Sequence, residues 1–169
     1  MTARLSTLWV RNLIGAVVVA IAVGVVITTI LGDQWETYRN TIVPATVVAK
    51  GQSGSAGDQT WNVDSVKHLN RNPASYGPKL PEGTVLTVVT VDRSGPVKDE
   101  VCYGVITDGE RRWKADNIGG FSPPAADGVT SLCSQPGLLQ FSFLLPQNVI
   151  PTAMDIAAFN GSITVRLLL

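Results

Sequence analysis

The residue best suited to acid–base chemistry in this chain is its one histidine, His68. Asp64 lies four residues before it, so two members of a Ser-His-Asp triad would be close together. The G-x-S-x-G turn that presents a reactive serine does not occur in the sequence, however. A zinc site needs four nitrogen or sulfur ligands, or three and a water, which one histidine and two oxidised cysteines cannot supply. We therefore interpret His68 as a surface residue, and we expect no enzymatic activity, no metal and no other cofactor.

The two cysteines, Cys102 and Cys133, are the residues with the clearest covalent chemistry. If this part of the chain is extracytoplasmic, as argued below, its compartment permits disulfides. A Cys102–Cys133 bridge would close a ring of about 30 residues and would stabilise the fold by on the order of 3–4 kcal/mol. It would also hold the long segment 116–137 against a strand. Two unpaired buried thiols are the alternative.

Four consecutive residues, Arg111, Arg112, Trp113 and Lys114, form the one concentrated charged feature. On a strand, Arg111 and Trp113 would share one face, and Arg112 and Lys114 the other. Such a strand could contact lipid headgroups or an acidic partner surface. The alternative is an edge strand whose charges prevent it from pairing with another chain.

These groups are attached to a membrane anchor. Residues 13–31 contain no charge, and as a helix they would span roughly 28 Å, close to the hydrocarbon thickness of a bilayer. Trp9 on one side, and Trp35 with Tyr38 on the other, fit the two interfacial aromatic belts. A cleaved signal peptide is the alternative, but its apolar region is usually shorter and ends in a small-residue site. We therefore predict a transmembrane helix over 13–31.

The flanking charges set the orientation. Arg4 and Arg11 precede the span, whereas Asp33 and Glu36 follow it. The positive-inside rule therefore predicts a cytoplasmic tail over 1–12, a juxtamembrane connector over 32–44 and an extracytoplasmic domain over 45–169. In a bacterium this is a single-pass plasma (inner) membrane protein with a periplasmic or extracytoplasmic C-terminal domain.

Within the span, small residues recur every fourth position, at Ala16, Ala20, Gly24 and Thr28. Such a stripe lets a second helix approach closely, and close packing drives helix association in lipid. It predicts a polytopic membrane protein as partner, besides membrane lipid. The alternative is ordinary membrane composition, because alanine and glycine are frequent in spans.

After the anchor, short β-favouring runs alternate with turn residues. Glycine and proline punctuate the segment, and Asp108-Gly109 and Asn160-Gly161 suit hairpin turns. The runs predict a β-sandwich of about eight strands, and the polar segment 51–59 is expected to be a mobile loop. The predicted strands are 45–50, 60–66, 84–92, 101–107, 110–115, 138–145, 152–158 and 162–169.

Three segments carry a resemblance to a known domain type: VPATVVAKGQ, TWNVDSVK and LPEGTVLTVVTV. With the C-terminal LLQFSFLLPQNVIPTAMDIAAFNGSITVRLLL, they resemble the telokin-like, immunoglobulin-type domains of actinobacterial envelope proteins. The layout of one anchor and one outer domain is also similar to the small accessory subunit of mycobacterial Mce lipid-import complexes. This resemblance implies an immunoglobulin-like fold and membership of a lipid importer, and it supplies no catalytic residue.

The charge balance excludes one class of partner. Thirteen basic and thirteen acidic residues give a formal net charge of zero, so we expect no nucleic-acid binding, which needs a basic patch. The sequence therefore predicts a non-catalytic accessory or stabilising subunit of an envelope membrane complex. A freestanding, membrane-anchored module that binds a lipid or cell-wall ligand is the alternative.

Overall fold

The structure is a computed structural model. It describes residues 2–73, 77–96, 101–115, 120–124, 126–135 and 137–169, with side chains from Leu8 onward. The chain forms two compact units, Met1–Arg39 and Asn40–Leu169.

The first unit is a helix that is interrupted once. Helix α1 covers Thr2–Val26, a π-helical turn covers Ile27–Leu31, and helix α2 covers Gly32–Asn40. The helix continues beyond the apolar segment and ends at Asn40, four residues before Pro44. The part Leu8–Asn40 is long and apolar enough to span a membrane, and its described side chains are exposed throughout.

The described residues of the second unit form ten strands in two sheets, which confirms the predicted β-sandwich. The strands are β1 (Thr46–Val48), β2 (Gly54–Ala56), β3 (Gln59–Leu69), β4 (Thr84–Ser94), β5 (Cys102–Thr107), β6 (Arg112–Lys114), β7 (Val129–Thr130), β8 (Leu138–Pro146), β9 (Ala153–Ala158) and β10 (Ile163–Leu168). Sheet A has the order β1-β10-β9-β5-β6, and sheet B has the order β2-β3-β4-β8-β7. Each of the eight predicted strands is present.

The core lies between the sheets and follows the alternation of the strands. Strand β8 sends every second residue inward, and these four residues are fully buried: Leu139, Phe141, Phe143 and Leu145. They meet Met154 and Ile156 from β9 and Val165 and Leu167 from β10 in one cluster. Period-two alternation therefore places the apolar faces of both sheets against each other.

Two strands lie where loops were expected. The segment 51–59, predicted to be mobile, instead forms a hairpin in which Ala56 pairs with Gln59, and Ala56 is buried. Gly57 at the turn has φ +61°, a left-handed conformation that glycine adopts without strain. Strand β7 lies inside the long segment 116–137 and pairs in parallel with the start of β8. Strands of two or three residues are too short to produce a periodic signal.

The outer face of sheet B is covered by loops. The Asn72 amide donates hydrogen bonds to the carbonyls of Pro78 and Gly120, so the segments after β3 and after β6 meet. The Gln140 amide of β8 reaches the Pro123 carbonyl at 3.3 Å. Leu86 and Val88, on this outer face, are buried. The Asn72 bonds therefore hold the described part of the segment after β3 against the segment after β6.

Candidate functional site

The small-residue stripe lies on an open helix surface, but it does not continue unchanged to its end. Ala16, Ala20 and Gly24 belong to α1, and a Cβ built at Gly24 would find open space. Thr28 belongs to the π-helical turn. Its hydroxyl donates to the carbonyls of Gly24 at 3.0 Å and Val25 at 3.2 Å. The hydroxyl proton is therefore used within the helix itself.

The π-helical turn rotates the aromatic belt relative to the stripe. In an uninterrupted α-helix, Trp35 would lie within about 20° of Gly24, eleven residues earlier. A π turn holds one more residue than an α turn, which turns the following helix by about 100°. Trp35 therefore lies about 80° from Gly24 around the helix axis. Its ring lies 5.8 Å from that of Tyr38.

The four charged and aromatic residues from Arg111 to Lys114 are divided between two environments. Arg111 pairs with Asp108 at 3.0 Å, and its guanidinium lies 5.4 Å from the Trp113 ring. Trp113 packs against the core, and the Lys114 ammonium lies 4.1 Å from the Tyr103 ring. Strand β6 is the edge of sheet A. This arrangement agrees with the edge-strand interpretation, because each side chain has a contact within its own domain.

Arg112 takes part in an ionic cluster on the outer face of sheet A. The carboxylate of Asp155 is fully buried and accepts hydrogen bonds from Arg112 at 2.9 Å and from Arg166 at 2.6 and 2.9 Å. The hydrogen bonds from Arg166 to Asp155 raise the pKa of Arg166. Arg112 also donates to the Thr41 carbonyl at 3.0 Å. We call Asp155, Arg112 and Arg166 the ionic cluster; it ties the start of the second unit to sheet A.

The predicted disulfide is confirmed, since Cys102 and Cys133 are bonded, with their Cα atoms 5.8 Å apart. A second attachment of the long segment was not anticipated. Arg93 is buried at the end of β4 and donates to the carbonyls of Cys133 and Gln135, both at 2.6 Å. Burial lowers the pKa of Arg93. Its inward position in the alternation of β4, after Val89 and Val91, is the signal that could have identified it.

A groove opens where β1 and β3 border the core. It has a volume of about 470 Å³ and is lined by Val63, Val66, Ile150 and Leu169, among others. Strand β2 pairs only with the start of β3, residues 59–61. Among the described residues, the rest of β3, residues 62–69, has β4 as its one neighbouring strand. His68 is exposed at the end of this groove, and its Nδ1 lies 2.9 Å from the Thr87 hydroxyl. Its contacts are those of a surface histidine in a strand.

Comparisons with known proteins add little to this geometry. No protein-family model matches the chain, and no curated protein matches it. Among solved structures it is similar to an uncharacterized β-sandwich protein from Clostridium difficile, with 11% sequence identity and a TM-score of 0.37. The match covers 75% of this chain and 95% of that one.

Proposed function

We propose that this chain is a non-catalytic, single-pass membrane protein that serves as an accessory or stabilising subunit of an envelope membrane complex. The helix would bind a polytopic partner through Ala16, Ala20, Gly24 and Thr28. The sandwich would stand outside the cytoplasm, with the N-terminus inside. The resemblance of the sequence to accessory subunits of Mce complexes makes lipid import the activity we assign to that complex.

The observation that carries this proposal is the open small-residue face of the helix. A glycine in a lipid-facing helix contributes no apolar surface, whereas against another helix it permits close backbone approach. The Thr28 hydroxyl is bonded to its own backbone, so it adds no desolvation cost when a helix packs there. The π-helical turn supports the same conclusion, because it turns Trp35 away from Gly24 around the helix axis.

The sandwich supports a structural role in the complex. The disulfide, the Arg93 bonds and the ionic cluster all fix loops or the connector to the sheets. A domain fixed in this way can present one constant surface to a partner. The alternative, an anchored module that binds a ligand by itself, is favoured by one feature, the apolar groove beside β3.

Co-purification tests the proposal. The tagged protein, extracted from native membranes in mild detergent, is expected to elute with a polytopic protein. Gly24→Ile should abolish this association without lowering the amount of the protein in the membrane, because the added side chain separates the helices and leaves the span apolar. Val18→Ile is the matched control and should have no effect. Elution of the wild-type protein alone would contradict the proposal and favour the freestanding module.

The orientation is tested separately by cysteine labelling in intact cells. A Ser55→Cys variant, exposed in β2, is expected to react with a membrane-impermeant reagent, whereas a Thr2→Cys variant should not. The reverse pattern would place the sandwich in the cytoplasm.

A further inference from the structure

Three large apolar side chains lie exposed in one region of the sandwich. Their exposed fractions exceed half in every case: Val101 68%, Leu132 52% and Phe159 83%. A solvent-exposed phenylalanine at a turn contributes nothing to the core, and several exposed apolar side chains at one end of a domain are suited to an apolar contact.

The backbones of the three residues lie at one end of the sandwich. Each is the chain neighbour of one of three linked residues: Val101 precedes Cys102, Leu132 precedes Cys133, and Phe159 follows Ala158. Cys102 is bonded to Cys133 and is the Cα partner of Ala158 in the β5–β9 ladder. We call Val101, Leu132 and Phe159 the apolar rim.

The apolar rim lies beside the point where the chain enters the sandwich. Gly161, in the same turn as Phe159, faces Thr41, since a Cβ built at Gly161 would lie 3.5 Å from the Thr41 methyl group. The Tyr103 hydroxyl would lie 3.6 Å from that Cβ, and the Lys114 ammonium lies over the Tyr103 ring. Strand β1 then runs parallel to β10, away from this turn. Ile150 is as exposed as Phe159 but lies at the opposite end of β5 and β9, just before Thr152 and Ala153.

We propose that the apolar rim docks into the headgroup layer of the bilayer that holds the helix. This inference rests on the proposed function, because it requires a transmembrane anchor. Helix α2 has nine residues and reaches about 13 Å, so chain connectivity keeps the entry point close to the lipid surface. Apolar side chains at an interface insert about 5–10 Å, to the boundary of headgroups and acyl chains. Tyrosine and lysine, as in the Tyr103–Lys114 pair, have apolar bodies and polar ends that suit this layer.

The test uses the full chain reconstituted in phosphatidylcholine vesicles. A Ser131→Cys variant carries an environment-sensitive fluorophore one residue from Leu132, and an Asn148→Cys variant carries the same probe at the opposite end of the strands. Both positions are exposed, and the native cysteines are bonded to each other and do not react without reductant. Lipids with a quencher at the headgroup boundary should quench the probe at 131 on the order of threefold more than the probe at 148.

The apolar rim itself is tested by removing it. In a Val101→Ser, Leu132→Ser, Phe159→Ser background, quenching at 131 should fall to the level found at 148. Anionic vesicles should give the same difference between the two probes, since the contact is apolar. Equal quenching at both positions in the unaltered chain, or no change in the triple variant, would overturn the docking. Extraction of the chain by alkaline carbonate would instead overturn the anchor, and with it the proposed function.

Discussion

The ionic cluster permits a quantitative prediction, because its two arginines contribute unequally. Arg166 supplies two of the three hydrogen bonds to Asp155, and Arg112 supplies one. A charge-assisted hydrogen bond contributes about 1.5–3 kcal/mol, and breaking a buried ion pair by removing one partner costs about 3–5 kcal/mol. The Arg166→Met substitution leaves a fully buried carboxylate with one bond, so it should be the more damaging change.

The bond from Arg112 to Asp155 survives the Arg166→Met substitution. The loss should therefore lie in the lower part of the range of about 3–5 kcal/mol that removal of one partner of a buried ion pair costs. We therefore expect Arg166→Met to lower the free energy of unfolding by about 3–4 kcal/mol. The Arg112 side chain is 39% exposed, and two bonds to Asp155 survive its removal. Arg112→Met should therefore cost only about 1–1.5 kcal/mol.

Urea unfolding of the micelle-bound full chain, followed by near-ultraviolet circular dichroism, measures these differences in the sandwich. The double variant Asp155→Leu/Arg166→Met is the decisive control. Replacing a buried ion pair by apolar residues of similar volume is often neutral, so the double variant should recover most of the stability lost in Arg166→Met. Equal losses in the two single arginine variants, or a double variant no more stable than Arg166→Met, would refute the reasoning.

Two further predictions concern the other charged groups of the sandwich. Arg93→Met should leave the carbonyl of Cys133, in a buried bond, and that of Gln135, in a part-buried bond, without their donor. We expect a loss of about 2–4 kcal/mol in the free energy of unfolding and faster proteolysis within 120–135, and an unchanged cleavage rate would contradict this assignment. The pKa of Asp108 is held below its ordinary value of 3.8, chiefly by the hydrogen bond from the Arg111 backbone N–H. The backbone N–H of Glu110 and the side chain of Arg111 also lower the pKa of Asp108. The stability that the ionised Asp108 contributes to the turn is therefore fully present above pH 3.8 and is lost as pH falls through the lower folded-state pKa. A carboxyl NMR titration of Asp108 with a midpoint at or above 3.8 would disprove this prediction.

The strands could be predicted because alternation is a local property. Strand β8 alternates over four apolar positions, and β10 alternates from Ile163 onward, so each indicates its own buried face. The pairing between strands is not local. Strand β1 lies parallel to β10, and the paired residues Thr46 and Val165 are 119 residues apart in the sequence. This pairing depends on the assembly of the whole sandwich, so the sequence of neither strand predicts it.

The candidate sites divide in the same way. The disulfide and the helix stripe could be proposed from residue types and spacing alone. The ionic cluster could not, because Asp155, Arg112 and Arg166 come from three strands. One local signal was present: Asp155 is an acid within the otherwise apolar run Ala153–Ala158, and a charge in a buried strand requires a partner. The π-helical turn had no comparable signal, since hydropathy does not report the backbone hydrogen-bond pattern.

The location of the ionic cluster indicates what it contributes. A buried ion pair is weak evidence for stability, because apolar residues often serve as well, and its better attested role is to specify one arrangement. Here Arg112 links Asp155 to the Thr41 carbonyl, which makes the connector position part of the cluster. Apolar replacement of Asp155 and Arg166 should therefore preserve stability yet leave Arg112 without its carboxylate, so that the Thr41 attachment loosens. In that double variant the membrane quenching of the probe at 131 should decrease, although the apolar rim is intact. Undiminished quenching would show that the rim docks without a fixed connector.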